Sequence, residues 1–280
     1  MIEQVENVRS HAPVVNIDTE LELENLGLSR AKQILADQLN IQMQLHTHTA
    51  LSFADLLEPK QCFIVLTEFS KRIQAVNLTC AGSMFMKYWA VPLLFPYLYA
   101  VLTEQVHLPW ELSAFSVQMT PTWYWDRHLN LKPACLSAHS FSTENQTYEA
   151  VISKIFDDLN QIFEVMSKVG KVQKFLLWEN TALRILQFYD MMQRKDSAQI
   201  KWQDIQQQRQ ILSDFPAEYF GLKQNPFLLL EQSRKANAGS YQRKKCCFYF
   251  QLPEAQHEYC TSCPLAKKDQ ERDQTPCQTH

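Results

Sequence analysis

Glycine is scarce in this chain, which has five glycines among 280 residues. Loops that bind nucleotide phosphates need glycine where the backbone approaches the ligand closely, and no G-x-G-x-x-G run is present. The G-x-S-x-G motif of serine hydrolases is also absent. The sequence therefore gives no support to a bound flavin or nicotinamide dinucleotide, nor to a hydrolase of that type.

Long apolar runs are missing as well. The longest uncharged run, Tyr88 to Thr103, has 16 residues and contains Pro92 and Pro96. A helix needs roughly 20 apolar residues to cross a bilayer, so this run predicts a buried core helix. The first residues show no basic segment followed by an apolar one, so we expect no secretory signal and a cytoplasmic protein. Peripheral association with the inner membrane stays open.

The charge balance excludes some classes of partner. The formal net charge is −3 and the isoelectric point is near 6.2, which argues against a dedicated nucleic-acid binder. Hydrophobic residues make up 46% and charged residues 20%, the composition of an ordinary globular protein. Residues 1–25 are acidic, whereas residues 234–280 have an excess of lysine and arginine, so the C-terminal segment is locally positive.

Hydrophobic periodicity predicts a mainly helical fold. Apolar residues recur at spacings of three and four in several segments, which predict helices over 58–76, 144–169, 172–194 and 199–213. Alternation and aromatic residues predict a β-hairpin or small sheet at about 112–132. The predicted class is α+β, with a helical body at 1–235. Residues 236–280 look irregular, as expected of a small domain folded around a metal centre.

Half of the eight cysteines lie close together near the C-terminus. Cys246, Cys247, Cys260 and Cys263 form the pattern C-C-x12-C-x2-C within 18 residues. In a reducing compartment, clustered cysteines bind metals or take part in redox chemistry more often than they form disulfides. Four thiolates are enough to complete a tetrahedral zinc site or a small iron–sulfur cluster.

The adjacent pair separates these two alternatives. Neighbouring side chains in an extended segment point to opposite sides, so Cys246 and Cys247 do not easily bind one zinc ion. Structural zinc sites usually have a C-x2-4-C spacing in both halves, so the pattern favours a two-iron cluster, with structural zinc as the alternative. We expect Cys62, Cys80 and Cys135 to be buried as small apolar residues. Cys277 stays open as a substitute ligand.

Two further groups are weaker candidates for binding sites. Trp123, Tyr124, Trp125, Arg127 and His128 form an aromatic and basic cluster that could bind a bulky ligand, although packing beneath helices is the commoner fate of such residues. His46 and His48 would share one face of a strand, but the sequence places no third metal ligand beside them. We expect these histidines to be solvated or hydrogen-bonded.

The C-terminal motif carries a family resemblance. The run from Arg243 through the Cys246-Cys247 pair to Tyr249, followed by Cys260-Thr-Ser-Cys263-Pro-Leu, resembles the C-terminal signature of the FhuF-type ferric siderophore reductases. That family has C-C-x10-C-x2-C, and this chain has two more residues between its pairs. The segment Leu177–Ala182 (LWENTA) resembles the helix that precedes the cluster domain in the family.

The resemblance implies a function. It implies that the four cysteines bind a [2Fe-2S] cluster, and that the protein reduces a ferric hydroxamate siderophore by one electron so that Fe(II) is released. Because no dinucleotide site is visible, a separate electron donor is required. Arg243, Lys244 and Lys245 would favour the reduced state and attract an acidic donor, although a solvated basic stretch is an equal interpretation for the two lysines. The alternative function is a non-enzymatic, zinc-stapled module that binds siderophores or protein partners.

Overall fold

A computed structural model describes residues 28–45, 51–106, 108, 110–117, 128–132, 147–195 and 200–266. Within these ranges the chain forms α-helices α1 (Ser29–Leu39), α2 (Pro59–Arg72), α3 (Leu78–Thr103), α4 (Tyr148–Gly170), α5 (Lys174–Gln193), α6 (Trp202–Asp214) and α7 (Pro226–Ala236). Strands β1 (Gln42–Leu45) and β2 (His128–Leu131) form a two-stranded parallel sheet. The predicted class, α+β and predominantly helical, is confirmed.

The helices α2, α4, α5 and α6 lie where the apolar periodicity predicts them, within a few residues at each end. The periodicity does not predict α1 and α7, which have only 11 residues each. In α7 the start signal is nevertheless clear, because Pro226 occupies the first turn. The Asn225 side chain also caps this helix by accepting hydrogen bonds from the N–H groups of Phe227 and Leu228.

The long helix α3 forms the centre of the core. It has 26 residues, so it begins ten residues before the uncharged run, and it continues through Pro92 and Pro96. Of the described helices, α3 alone is long and apolar enough to cross a membrane, but 83% of its most apolar window is buried inside the protein. Burial on all sides is typical of a core helix. Lys87 is the single charged residue in it.

The sheet is assembled from distant segments. β1 pairs with β2 in parallel register, from Gln42 opposite His128 to Leu45 opposite Leu131. Residues 114–116 lie antiparallel to the other edge of β2, where the Ser116 N–H donates to Asn130 O at 2.8 Å. The two ends of the predicted 112–132 region therefore pair as the hairpin prediction expects. Residues 118–127 lie outside the described residues. The sequence periodicity did not predict β1, the strand that pairs with the first edge of β2.

The packed helices form the surface on which the C-terminal segment lies. α3 packs against α2, α4 and α5, and α5 packs in turn against α6 and α7. After α7 the chain returns over α3 and α5, and the described residues that follow form short 3-10 turns at Tyr249–Gln251 and Pro253–Ala255 and a few helical residues at 264–266. This segment therefore relies on contacts with the helices, and the cysteines lie within it.

Candidate metal centre

The four cysteines of the C-terminal pattern come together as two pairs. Cys247 Sγ lies 3.7 Å from Cys260 Sγ, and Cys246 Sγ lies 3.9 Å from Cys263 Sγ. All four are free thiols, and Cys247 and Cys263 are buried. Each cysteine of the adjacent pair thus faces one cysteine of the C-x2-C half, as expected if neighbouring side chains diverge.

These sulfur–sulfur distances match those of a metal-bound pair. A tetrahedral metal with metal–sulfur bonds of about 2.3 Å holds its thiolates about 3.8 Å apart. Among the described residues, no group of three or more His, Cys, Asp or Glu side chains lies close enough together to hold a metal ion. Two separate pairs are what a two-metal centre requires, with two thiolates on each metal. The donor set of these side chains is therefore compatible with a [2Fe-2S] cluster.

Arg243 is the residue that joins the two halves of the motif. Its Nη2 donates to Cys247 Sγ at 2.9 Å and to Cys260 Sγ at 2.6 Å. The side chain is buried, with 2% of the residue exposed, and its Nε has no hydrogen-bond partner among the described residues. A buried N–H with no acceptor costs free energy, and it lies on a residue that already contacts two cysteine sulfurs. An additional sulfur acceptor in this place would satisfy it.

Helix α3 contributes a second buried cation. Lys87 Nζ lies 3.6 Å from Cys247 Sγ and 4.3 Å from the centre of the Tyr249 ring. Burial lowers the pKa of Lys87, while the neighbouring Cys247 and Cys260 oppose that change. A lysine in an apolar helix is costly unless it has an anionic partner, and the Cys247 thiolate is the partner provided here.

Helix α5 anchors the segment that precedes the cysteines. The carboxylate of Glu179, which is 1% exposed, accepts the backbone N–H groups of Lys244 at 2.5 Å and Lys245 at 3.0 Å. Burial raises the pKa of Glu179, and the two N–H groups act against that increase. One side chain thus accepts both N–H groups of this turn, and it holds in place the backbone that leads to Cys246.

Hydrogen bonds through the neutral side chains of Ser83 and Asn180 link α3 and α5 to the cysteine segment. Asn180 Nδ2 donates to Ser83 O and Ser83 Oγ, both at 3.0 Å. Ser83 Oγ donates to Cys247 O at 3.0 Å, and Asn180 Oδ1 accepts from Arg243 Nη1 at 2.6 Å. Since these groups are buried, each needs its partner, and the network fixes the Cys247 backbone and the Arg243 guanidinium together.

The electrostatics of the site favour a thiolate at Cys247 and a protonated thiol at Cys246 and Cys260. The hydrogen bond from Cys260, together with the charges of Arg243 and Lys87, lowers the pKa of Cys247 to about 4. The same hydrogen bond and burial raise the pKa of Cys260, so the Cys247–Cys260 pair shares one proton. Burial raises the pKa of Cys246 to about 12. Thiolate is the form that binds metals, and the lowered pKa favours this form at Cys247.

The remaining predicted residues are placed as follows. The Lys244 and Lys245 side chains are exposed, and Lys244 Nζ donates to Gln224 Oε1 at 3.0 Å. Cys62 and Cys80 are buried among apolar residues, as predicted. The other predicted groups lie outside the described residues: His46, His48, Trp123, Tyr124, Trp125, Arg127, Cys135 and Cys277. His128 starts strand β2.

Sequence reasoning missed Lys87, Ser83, Glu179 and Asn180 as neighbours of the cysteines. A signal for Lys87 was present, because it is the single charge in a helix of 26 residues. A signal for Glu179 and Asn180 was also present, since they are the polar centre of the LWENTA segment noted for its resemblance to a family helix. Ser83 carries no comparable signal. Its role depends on the crossing of α3 and α5, which periodicity does not predict.

Comparison of the chain with protein-family models, with curated proteins and with solved structures finds no match. Membership of the FhuF-type family therefore remains a prediction that rests on the C-terminal motif of this chain.

Proposed function

We propose that this protein is a cytoplasmic ferric-siderophore reductase of the FhuF type, which releases Fe(II) from a ferric hydroxamate chelate. The observation that carries the proposal is the arrangement of four cysteine sulfurs in two pairs, at 3.7 Å and 3.9 Å, with a buried arginine that donates to both sulfurs of the first pair. The reaction is a one-electron transfer: Fe(III) in the chelate becomes Fe(II), and a separate donor is oxidised by one electron.

The ligand set is Cys246, Cys247, Cys260 and Cys263. A bound [2Fe-2S] cluster would supply the one-electron transfer that no other part of the described chain provides. The chain's own contribution is charge. Arg243 and Lys87 place two buried cations beside Cys247, so added negative charge is stabilised at this point.

Release of iron follows from the change in oxidation state. The hard oxygen donors of a hydroxamate hold trivalent iron much more strongly than divalent iron, so reduction weakens the chelate. The electron donor is a separate protein. Cys246 and Cys260 are partly exposed, and the exposed Lys244 and Lys245 beside them would attract an acidic donor surface.

The test combines colour, iron content and activity. The purified protein should be reddish-brown, and it should release Fe(II) from a ferric trihydroxamate when a chemical reductant is supplied. Cys246→Ala and Cys263→Ala should each lose the colour and most of the Fe(II) release. Cys62→Ala is the matched control, because Cys62 is a buried free cysteine outside the site. Retention of full activity in both site variants would exclude the proposal.

The second candidate is a zinc-stapled binding module without redox activity. The short C-x2-C half, in which the Cys263 N–H donates to Cys260 O at 2.9 Å, is a turn common to zinc sites as well. This function predicts a colourless protein with one zinc per chain and no Fe(II) release. Metal analysis separates the two candidates directly.

A further inference from the structure

A pocket of about 420 Å³ lies directly beside the cysteine segment. One of its walls is formed by Thr261 and Ser262, the two residues between Cys260 and Cys263. Other lining residues come from α3 and α5, with Phe95 and Arg184 among them. The volume falls in the range of small-molecule sites, about 300–1,000 Å³. A molecule in this pocket would contact the loop that carries two of the proposed ligands.

The pocket is positively charged. Arg184 and Arg194 both line it from α5 and the residue after it. Arg184 is held in place, because its Nε donates to Lys87 O at 3.2 Å and its Nη1 to Gln187 Oε1 at 2.9 Å. Arg194 is exposed. Two guanidinium groups at one opening are suited to carboxylates, which they bind through paired hydrogen bonds.

The one carboxylate in the lining does not cancel this charge. Asp190 Oδ1 accepts from Arg209 Nη1 at 2.7 Å, and Arg234 Nη2 lies 3.2 Å from the same oxygen. Asp190 is therefore neutralised by arginines outside the pocket lining, so the charges of Arg184 and Arg194 make the pocket positive. Apolar surface from Val91, Phe95 and Met191 lies beside them, so the pocket would accept a ligand with both carboxylates and a carbon skeleton.

We propose that this pocket is the substrate site and that it selects anionic ferric chelates, meaning hydroxamates that carry free carboxylates, over neutral or cationic ones. This inference rests on the proposed function, and it adds both the location of the substrate and its charge. The chelate's carboxylates contact Arg184 and Arg194, and its iron centre faces Thr261 and Ser262. The same turn of α3 then serves both sites, since Arg184 binds the carbonyl of Lys87 while Lys87 Nζ contacts Cys247.

The test uses gallium(III) chelates, which have the charge and size of the ferric ones but are not reduced. Gallium complexes of desferrioxamine B can be compared in the native cationic form, the N-acetylated neutral form and the N-succinylated anionic form. By calorimetry, the purified holoprotein should bind the anionic complex about tenfold more tightly than the neutral one. Arg194→Gln and Arg184→Gln should each remove most of this preference and leave affinity for the neutral complex nearly unchanged.

Arg30→Gln is the matched control, because Arg30 is exposed on α1 and is not part of the pocket. It should bind all three complexes as the unmodified protein does. Equal affinity for the three complexes, or a preference that survives Arg194→Gln, would overturn the inference even in a protein that reduces ferric chelates. Selective binding by a protein that contains no iron would support the pocket and overturn the proposed function. Failure to bind any of the complexes would also overturn the inference.

Discussion

Arg243 Nη2 lies 2.9 Å from Cys247 Sγ, with the guanidinium buried between the cysteines and helix α5. The same nitrogen contacts Cys260, and Nη1 donates to Asn180. One planar group therefore connects a helix of the body with both halves of the cysteine motif. A guanidinium presents several donors in a fixed plane, which lysine cannot reproduce.

Removing this group should release the cysteine segment. We expect Arg243→Gln to lower the free energy of unfolding by about 3 kcal/mol, because a buried thiolate loses its main counter-charge. Arg243→Lys should retain part of the charge but lose the bridge, and should lie between Arg243→Gln and the unmodified protein. Urea denaturation monitored by circular dichroism measures both. Arg30→Gln, an arginine exposed on α1, is the control. Unchanged stability in Arg243→Gln would show that the bridge does not hold the segment.

Lys87 should contribute to the low pKa of Cys247. In metal-free protein the ultraviolet absorbance of thiolate should persist as the pH falls until about 4, the pKa of Cys247, and Cys247→Ala should abolish this signal. The pKa of Cys247 is depressed, so loss of a nearby cation must raise it. Lys87→Met should therefore move the midpoint of the thiolate titration upward by about 1 pH unit. Lys168→Met, at an exposed lysine of α4, should leave it unchanged. An unmoved midpoint in Lys87→Met would exclude the charge contact.

Glu179 should anchor the turn before Cys246. Glu179→Ala leaves the N–H groups of Lys244 and Lys245 without their acceptor, which should cost about 2–4 kcal/mol if each unsatisfied donor costs 1–2 kcal/mol. Glu179→Gln retains one acceptor oxygen and should cost about half as much. Thermal unfolding at equal protein concentration measures the series. Glu149→Gln, at an exposed position in the first turn of α4, is the control. Equal melting temperatures for Glu179→Ala and the unmodified protein would contradict the anchor.

How far the sequence predicts this structure depends on whether the signal is local. The stripe of Ile155, Leu159 and Ile162 predicts α4 because its spacing alone determines which face is buried. The cysteine spacing likewise predicts that the two halves of the motif meet, as they do in the Cys247–Cys260 and Cys246–Cys263 pairs. The sequence does not predict that β1 pairs with β2, since the two strands are more than 80 residues apart and each has four residues.

The surroundings of the cysteines were hidden for the same reason. Lys87 reaches Cys247 across 160 residues, and Glu179 reaches Lys244 across 65. Such contacts depend on how α3 and α5 cross, which is a property of the packed core. The identity of the residues still carried a hint, because an isolated charge in an apolar helix needs a buried partner. The pocket beside Ser262 had no sequence signal, since its lining is drawn from four separate parts of the chain.

The measurement that tests the central claim most directly is the metal and sulfide content of the purified protein, taken together with its visible spectrum. The account predicts two iron atoms and two inorganic sulfides per chain, and absorption bands that bleach when dithionite is added. A colourless protein with one zinc and no inorganic sulfide would contradict it.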